Sequence, residues 1–162
     1  MTGMYQSASP RPTPALNAGR LWAGGVATAL VAALIAITGI LIGRGLFGVA
    51  VLGPQSAGTW GTARTGWYTL GAALAGILAT ALMHLLVSFT PRPMRFFGWI
   101  IALATLAAMA APMASDEDLG SRLYTAGLNL ILGIAIGSLT AGTARAALRP
   151  TTRQPTPRPY PG

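Results

Sequence analysis

One histidine, no cysteine and three adjacent acids are all that this chain of 162 residues offers to acid–base, nucleophilic or metal chemistry. An imidazole titrates near neutral pH, so His84 is the candidate for a proton relay. A relay needs a titratable neighbour, and the only acids are Asp116, Glu117 and Asp118, in a distant segment. A single histidine cannot hold a metal, because structural and catalytic sites use about three or four protein ligands. Three consecutive acids do not converge on one cation as spaced loop ligands do. The absence of cysteine removes disulfides, thiolate metal sites and cysteine nucleophiles. No phosphate-binding loop is present. These residues imply no catalysis and no cofactor.

The elements that carry them are unusual. Residues 21–43, 67–89, 96–114 and 123–144 contain no Lys, Arg, Asp or Glu. Each run is roughly 20 residues, which at ~1.5 Å per helical residue spans about 30 Å, the thickness of a bilayer's hydrocarbon core. Only 9% of the chain is charged, against about a quarter in soluble domains. The expected fold is therefore an all-α membrane protein of four antiparallel transmembrane helices. The transmembrane domain occupies 19–148. Residues 1–18 and 149–162 are Pro-rich tails of the kind that stay disordered. The first span exceeds the ~7–15 apolar residues of a signal peptide and lacks a small-residue cleavage site, so it reads as a retained helix.

Charge sets the orientation. All 11 basic residues are arginine. Antiparallel helices place Arg11, Arg20, Arg92, Arg95, Arg145, Arg149, Arg153 and Arg158 on one side. Arg44, Arg64, Arg122 and the three acids fall on the other. The positive-inside rule assigns the first side, and both termini, to the cytoplasm. The expected location is the bacterial inner membrane, crossed several times. The tripeptide Pro-Arg-Pro recurs at 10–12, 91–93 and 157–159, all on that side. Composition accounts for the repeat, and the same arginines suit anionic lipid headgroups. Topology already explains the basic excess, so nucleic-acid binding is not expected. Trp22, Phe89, Phe96, Phe97 and Trp99 mark the cytoplasmic ends, and Trp67, Tyr68 and Tyr124 the external ends, as interfacial aromatics do.

Within this frame His84 lies about one and a half turns from the cytoplasmic end of the second helix. The acids lie outside the opposite face, ~20 Å or more away by helix rise, which excludes a Ser/His/Asp triad. Buried polar side chains in membranes are functional candidates by default. The structural reading is stronger for both: His84 bonds a neighbouring helix or reaches towards headgroups, and Asn129, one turn below the external end of the fourth helix, hydrogen-bonds another helix in preference to contacting a substrate. Thr28, Thr38, Thr80, Thr105, Ser138 and Thr140 are expected to bond carbonyls of their own helices. Gly39 with Gly43, and Gly133 with Gly137, form two GxxxG spacings that let helix backbones approach, within the bundle in preference to a homodimer face. Asp116, Glu117 and Asp118 are expected to form an external ion-pair cluster with Arg122, Arg44 or Arg64, or to sit solvated at the start of the fourth helix. The loop 44–66 carries an apolar stretch at 46–52, expected to lie in the interface or fold back over the helix ends.

The layout resembles an uncharacterised family of small four-helix membrane proteins from actinobacteria. The similarity covers roughly 18–148. It rests on an arginine before the first helix, a long Gly-rich first loop with an apolar stretch, and the basic turn Phe89-Thr90-Pro91-Arg92-Pro93-Met94-Arg95-Phe96. Pro112 near the end of the third helix also fits. The resemblance implies a Met-His pair in the fourth helix. This chain has Leu128-Asn129 there and Met83-His84 in the second helix. The resemblance implies no activity.

The sequence thus points to a non-catalytic accessory or scaffold component, with a membrane-protein partner or a homo-oligomer. The alternative is a small oligomeric transporter or channel.

Overall fold

A computed structural model describes residues 17–48, 51 and 61–148, the side chains of 61–65 excepted. The tails at 1–16 and 149–162 lie outside the described residues. So do Arg11, Arg149, Arg153 and Arg158, and two of the Pro-Arg-Pro copies.

Four long helices run up and down: α1 (Ala18–Gly45), α2 (Gly61–Phe89), α3 (Pro93–Ala110) and α4 (Leu119–Ala147). A 3-10 turn, Ala111–Ala114, extends α3. All four are long and apolar enough to cross a membrane, and among the described residues there is no strand. Their outer faces are covered with large apolar side chains. Leu34, Leu41, Leu78, Trp99 and Ile134 are each exposed by more than half. A surface like this suits lipid and not water.

Local chemistry sets the helix ends. Asn17 caps α1, its side-chain oxygen accepting from the Arg20 amide at 3.1 Å. Residues 17 and 18, expected in the disordered tail, therefore begin the helix. Pro93 starts α3, where a missing N–H costs nothing. Asp118 caps α4 and accepts from the amides of Gly120 and Ser121, so an acid sits at the positive end of that helix dipole. α2 begins at Gly61, six residues before the expected 67. Hydropathy marks where a helix enters the apolar layer, whereas the backbone ladder continues until something breaks it, and 61–66 contains no proline.

α2 and α4 form the short diagonal of a lozenge. Each touches the other and both remaining helices, while α1 and α3 do not meet. Between apolar helices in lipid, burial supplies little drive, and close packing of small residues takes its place. Gly76 of α2 lies against the α1 backbone: a β-carbon there would come within 3.0 Å of Ala29 Cα. Gly39 and Gly43 leave space filled by Leu128 and Tyr124 of α4. Gly133 and Gly137 leave space filled by Thr105 and Ile101 of α3. All four GxxxG glycines thus face partners inside the chain. α3 is the outermost helix, with Phe97 its one buried residue.

After α1 the chain turns at Gly48, whose φ of 62° lies in the left-handed region that glycine enters freely. Val51 then returns to the core, and the Phe47 ring rests on Tyr124 at 5.8 Å. The apolar stretch after α1 folds back over the helix ends at these described positions. The rest of that stretch lies outside the described residues.

Candidate functional site

Three polar side chains of the spans, Tyr68, Thr105 and Asn129, line one cavity. Asn129, Leu132, Gly133 and Ile136 share one face of α4, at spacings of three and four residues. That face looks between α2 and α3. Across from it, Tyr68, Gly71, Ala72 and Ala75 share a face of α2. Ala104, Thr105 and Ala108 complete the wall from α3. Five of these seven wall residues are Gly or Ala, so α2 and α3 leave between them a laterally open cavity of about 310 Å³.

Asn129 closes the end of this cavity. The Tyr68 hydroxyl donates to Asn129 Oδ1 at 2.5 Å. Asn129 Nδ2 donates to the Ala108 carbonyl at 2.6 Å. One side chain on α4 thereby ties α2 and α3 together. The amide orientation is fixed by its partners, because the Ala108 carbonyl can only accept. The local reason for the second bond is Pro112, four residues on in the 3-10 turn. In a continuous helix the Ala108 carbonyl would accept from the amide of residue 112, and proline has no N–H to give.

A second, more open groove of about 620 Å³ lies between α1 and α4, lined by Val31, Leu34, Thr38, Gly127 and Ile131 among others. At its end the Tyr124 hydroxyl donates to the Gly39 carbonyl at 2.7 Å. The missing side chain of Gly43 leaves the room in which the Tyr124 ring lies.

His84 is elsewhere. Its ring stands 6.4 Å from Trp22, at the opposite end of the bundle. It is sixteen residues from Tyr68 along α2, or about 24 Å by helix rise. His84 Nδ1 is buried without a hydrogen-bond partner. The structure does not bring His84 and Asn129 together.

The acidic turn sits exposed at the start of α4, the second of its two expected arrangements. Asp118 serves as the α4 cap. Arg122 meets Glu117 through the backbone, its Nε donating to the Glu117 carbonyl at 2.6 Å. Peptide geometry explains this: a side chain at the first turn of α4 reaches the carbonyl preceding the cap more easily than a carboxylate pointing outward. Asp116 and Glu117 are exposed. Among the described residues no three of His, Cys, Asp and Glu gather where they could hold a metal ion.

The hydroxyls mostly follow expectation. Thr28, Thr80 and Thr105 donate to carbonyls of their own helices at 2.8–2.9 Å, and Ser138 does so at 3.1 Å. Thr140 does not: its hydroxyl oxygen is buried without a hydrogen-bond partner, as is that of Thr69.

Sequence reasoning found Asn129 and missed its partner. Tyr68 and Tyr124 read as interfacial rings, and both direct their hydroxyls inward to another helix. The available signal was the pairing of Pro112 with a carbonyl four residues earlier, at the same membrane depth as Asn129.

No curated protein and no solved structure matches the chain. Residues 16–146 match the model of a family of unknown function, DUF6069. That span takes in α1, α2, α3, all but the last residue of α4, and the Tyr68–Asn129–Ala108 bridge, and the chain belongs to this uncharacterised family.

Proposed function

We propose that this membrane protein is a non-catalytic accessory or scaffold component of the bacterial inner membrane, with both termini in the cytoplasm. The observation that carries the reading is where its intramembrane polar groups point. Tyr68, Asn129 and Tyr124 bond other helices of the same chain, and Thr28, Thr80 and Thr105 bond their own helices. These groups hold the bundle together and form no continuous polar path. The two side chains with the widest hydrogen-bonding range, His84 and Asn129, sit at opposite ends.

The orientation rests on the arginines. Arg20, Arg92, Arg95 and Arg145 lie at the end where α1 and α3 begin and α2 and α4 finish. Arg44, Arg122 and the acids lie at the other. Both basic and interfacial aromatic groups at the first end suit an anionic lipid surface. The exposed apolar length of α3 leaves a face for a membrane-protein partner.

A flux assay tests the choice against a transporter or channel. Purified protein in liposomes is expected to leave proton and potassium gradients as stable as in protein-free vesicles. Gradient loss that scales with protein content would overturn the reading.

A further inference from the structure

The cavity between α2, α3 and α4 has the features of a ligand site, and the bonds described above do not use them all. We propose that it holds one acyl chain of a bilayer glycerophospholipid, with the chain's ester carbonyl accepting from Asn129 Nδ2.

Four observations lead there. The first is access. The opening lies between α2 and α3, along the flank of helices that span the membrane, so its ligand must arrive through the lipid. The second is size. About 310 Å³ stands at the low end of small-molecule sites, ~300–1,000 Å³, and is about twice the ~150 Å³ apolar cavity that takes up benzene. That is room for one chain and not for a lipid's pair.

The third is the polar end. An amide side chain has two N–H donors and two acceptor positions. Asn129 gives one N–H to Ala108 and accepts once, from Tyr68. One N–H and one lone pair remain. They sit beside Trp67, ten residues or about 15 Å along α4 from its start at Leu119, so the ester is drawn inward from the headgroup level to meet them. From Asn129 to Ile136 the wall is two turns of apolar helix, about 10 Å of depth for the chain below the ester.

The fourth is Gly71. Gly39, Gly43, Gly76, Gly133 and Gly137 each face a neighbour's side chain or backbone, while others such as Gly98, Gly127 and Gly142 meet open space. A β-carbon at Gly71 would meet nothing within 4 Å. Helix contact therefore does not require glycine here. What the missing side chain provides is cavity volume.

The test uses the purified full chain in nanodiscs containing phosphatidylglycerol with a diazirine in the upper half of one acyl chain. After photolysis, labelled positions are read by peptide mass spectrometry. Ala104 and Ala108 report on the cavity. Leu103 and Leu106, exposed on α3, report on ordinary lipid contact. Cavity labelling in the unaltered protein is expected to exceed outer labelling. It should fall at least fivefold in Gly71→Leu, which fills open space, and in Ala104→Leu, a second plug from the other wall. Labelling of Leu103 and Leu106 should not change, and an unaltered circular-dichroism melt shows that each variant remains folded. Asn129→Ala should lower cavity labelling by loosening the ester. Equal labelling of both faces that neither plug alters overturns the proposal, as does an unlabelled cavity.

Discussion

Asn129 Nδ2 lies 2.6 Å from the Ala108 carbonyl oxygen, the acceptor that Pro112 leaves without its helical donor. The two features explain each other. A proline in the 3-10 turn after α3 would strand a carbonyl in an apolar layer, where an unmet polar group is costly. An asparagine in α4 would equally be stranded without that carbonyl and the Tyr68 hydroxyl.

The mutual dependence gives the first prediction. Asn129→Ala should destabilise the bundle by about 1–2 kcal/mol, the range of interhelical hydrogen bonds in membranes. In a Pro112→Ala background, residue 112 supplies an N–H to Ala108, so the cost of Asn129→Ala should drop by about half. Unfolding in mixed micelles, followed by circular dichroism, measures both. An equal cost in the two backgrounds would refute the coupling.

Two glycines of α2 should respond in opposite ways. Gly76→Val forces side-chain atoms onto the Ala29 backbone, and backbone cannot yield as a side chain does. We expect a loss of about 1–3 kcal/mol, as for other overpacked sites. Gly71→Ala meets open space and should be neutral or gain up to about 1 kcal/mol from helix propensity. Thermal aggregation of the detergent-solubilised proteins ranks them, and equal melting temperatures would contradict the packing argument.

His84→Ala should leave folding nearly intact. The imidazole offers one ring contact, to Trp22, and its Nδ1 makes no hydrogen bond. The expected cost is about 1 kcal/mol or less. Membrane abundance by immunoblot decides it, and disappearance of the protein would make the histidine structural.

Reporter fusions test the orientation. A cytoplasm-only reporter at either terminus should be active, and a periplasm-only reporter should be active when inserted beside Glu117. Periplasmic activity of a fusion at Gly162 would reverse the assignment.

Much of this fold was legible in the sequence because charge-free runs of bilayer length have few alternatives. Asp118 was legible as an acid at the start of α4, and Asn129 as a link between helices. The direction of each ring was not. In a soluble helix a polar stripe shows which side faces out, whereas in a membrane helix lipid-facing and bundle-facing residues are both apolar. Tyr68 and Tyr124 therefore looked like interface anchors, and their inward hydroxyls emerged only with the packing. Thr140 shows the same limit. A threonine can bond its own helix, and whether it does depends on a rotamer that neighbours select. The cavity was hidden for a related reason: Gly71, Ala72 and Ala75 fit a tight interface as well as an open one.

The measurement that bears most directly on the accessory role is native mass spectrometry of the tagged protein, released gently from its own membranes. The account predicts a second membrane protein in fixed stoichiometry. A single copy or a homo-oligomer without a companion, repeatedly recovered from mild detergent or native nanodiscs, would contradict it.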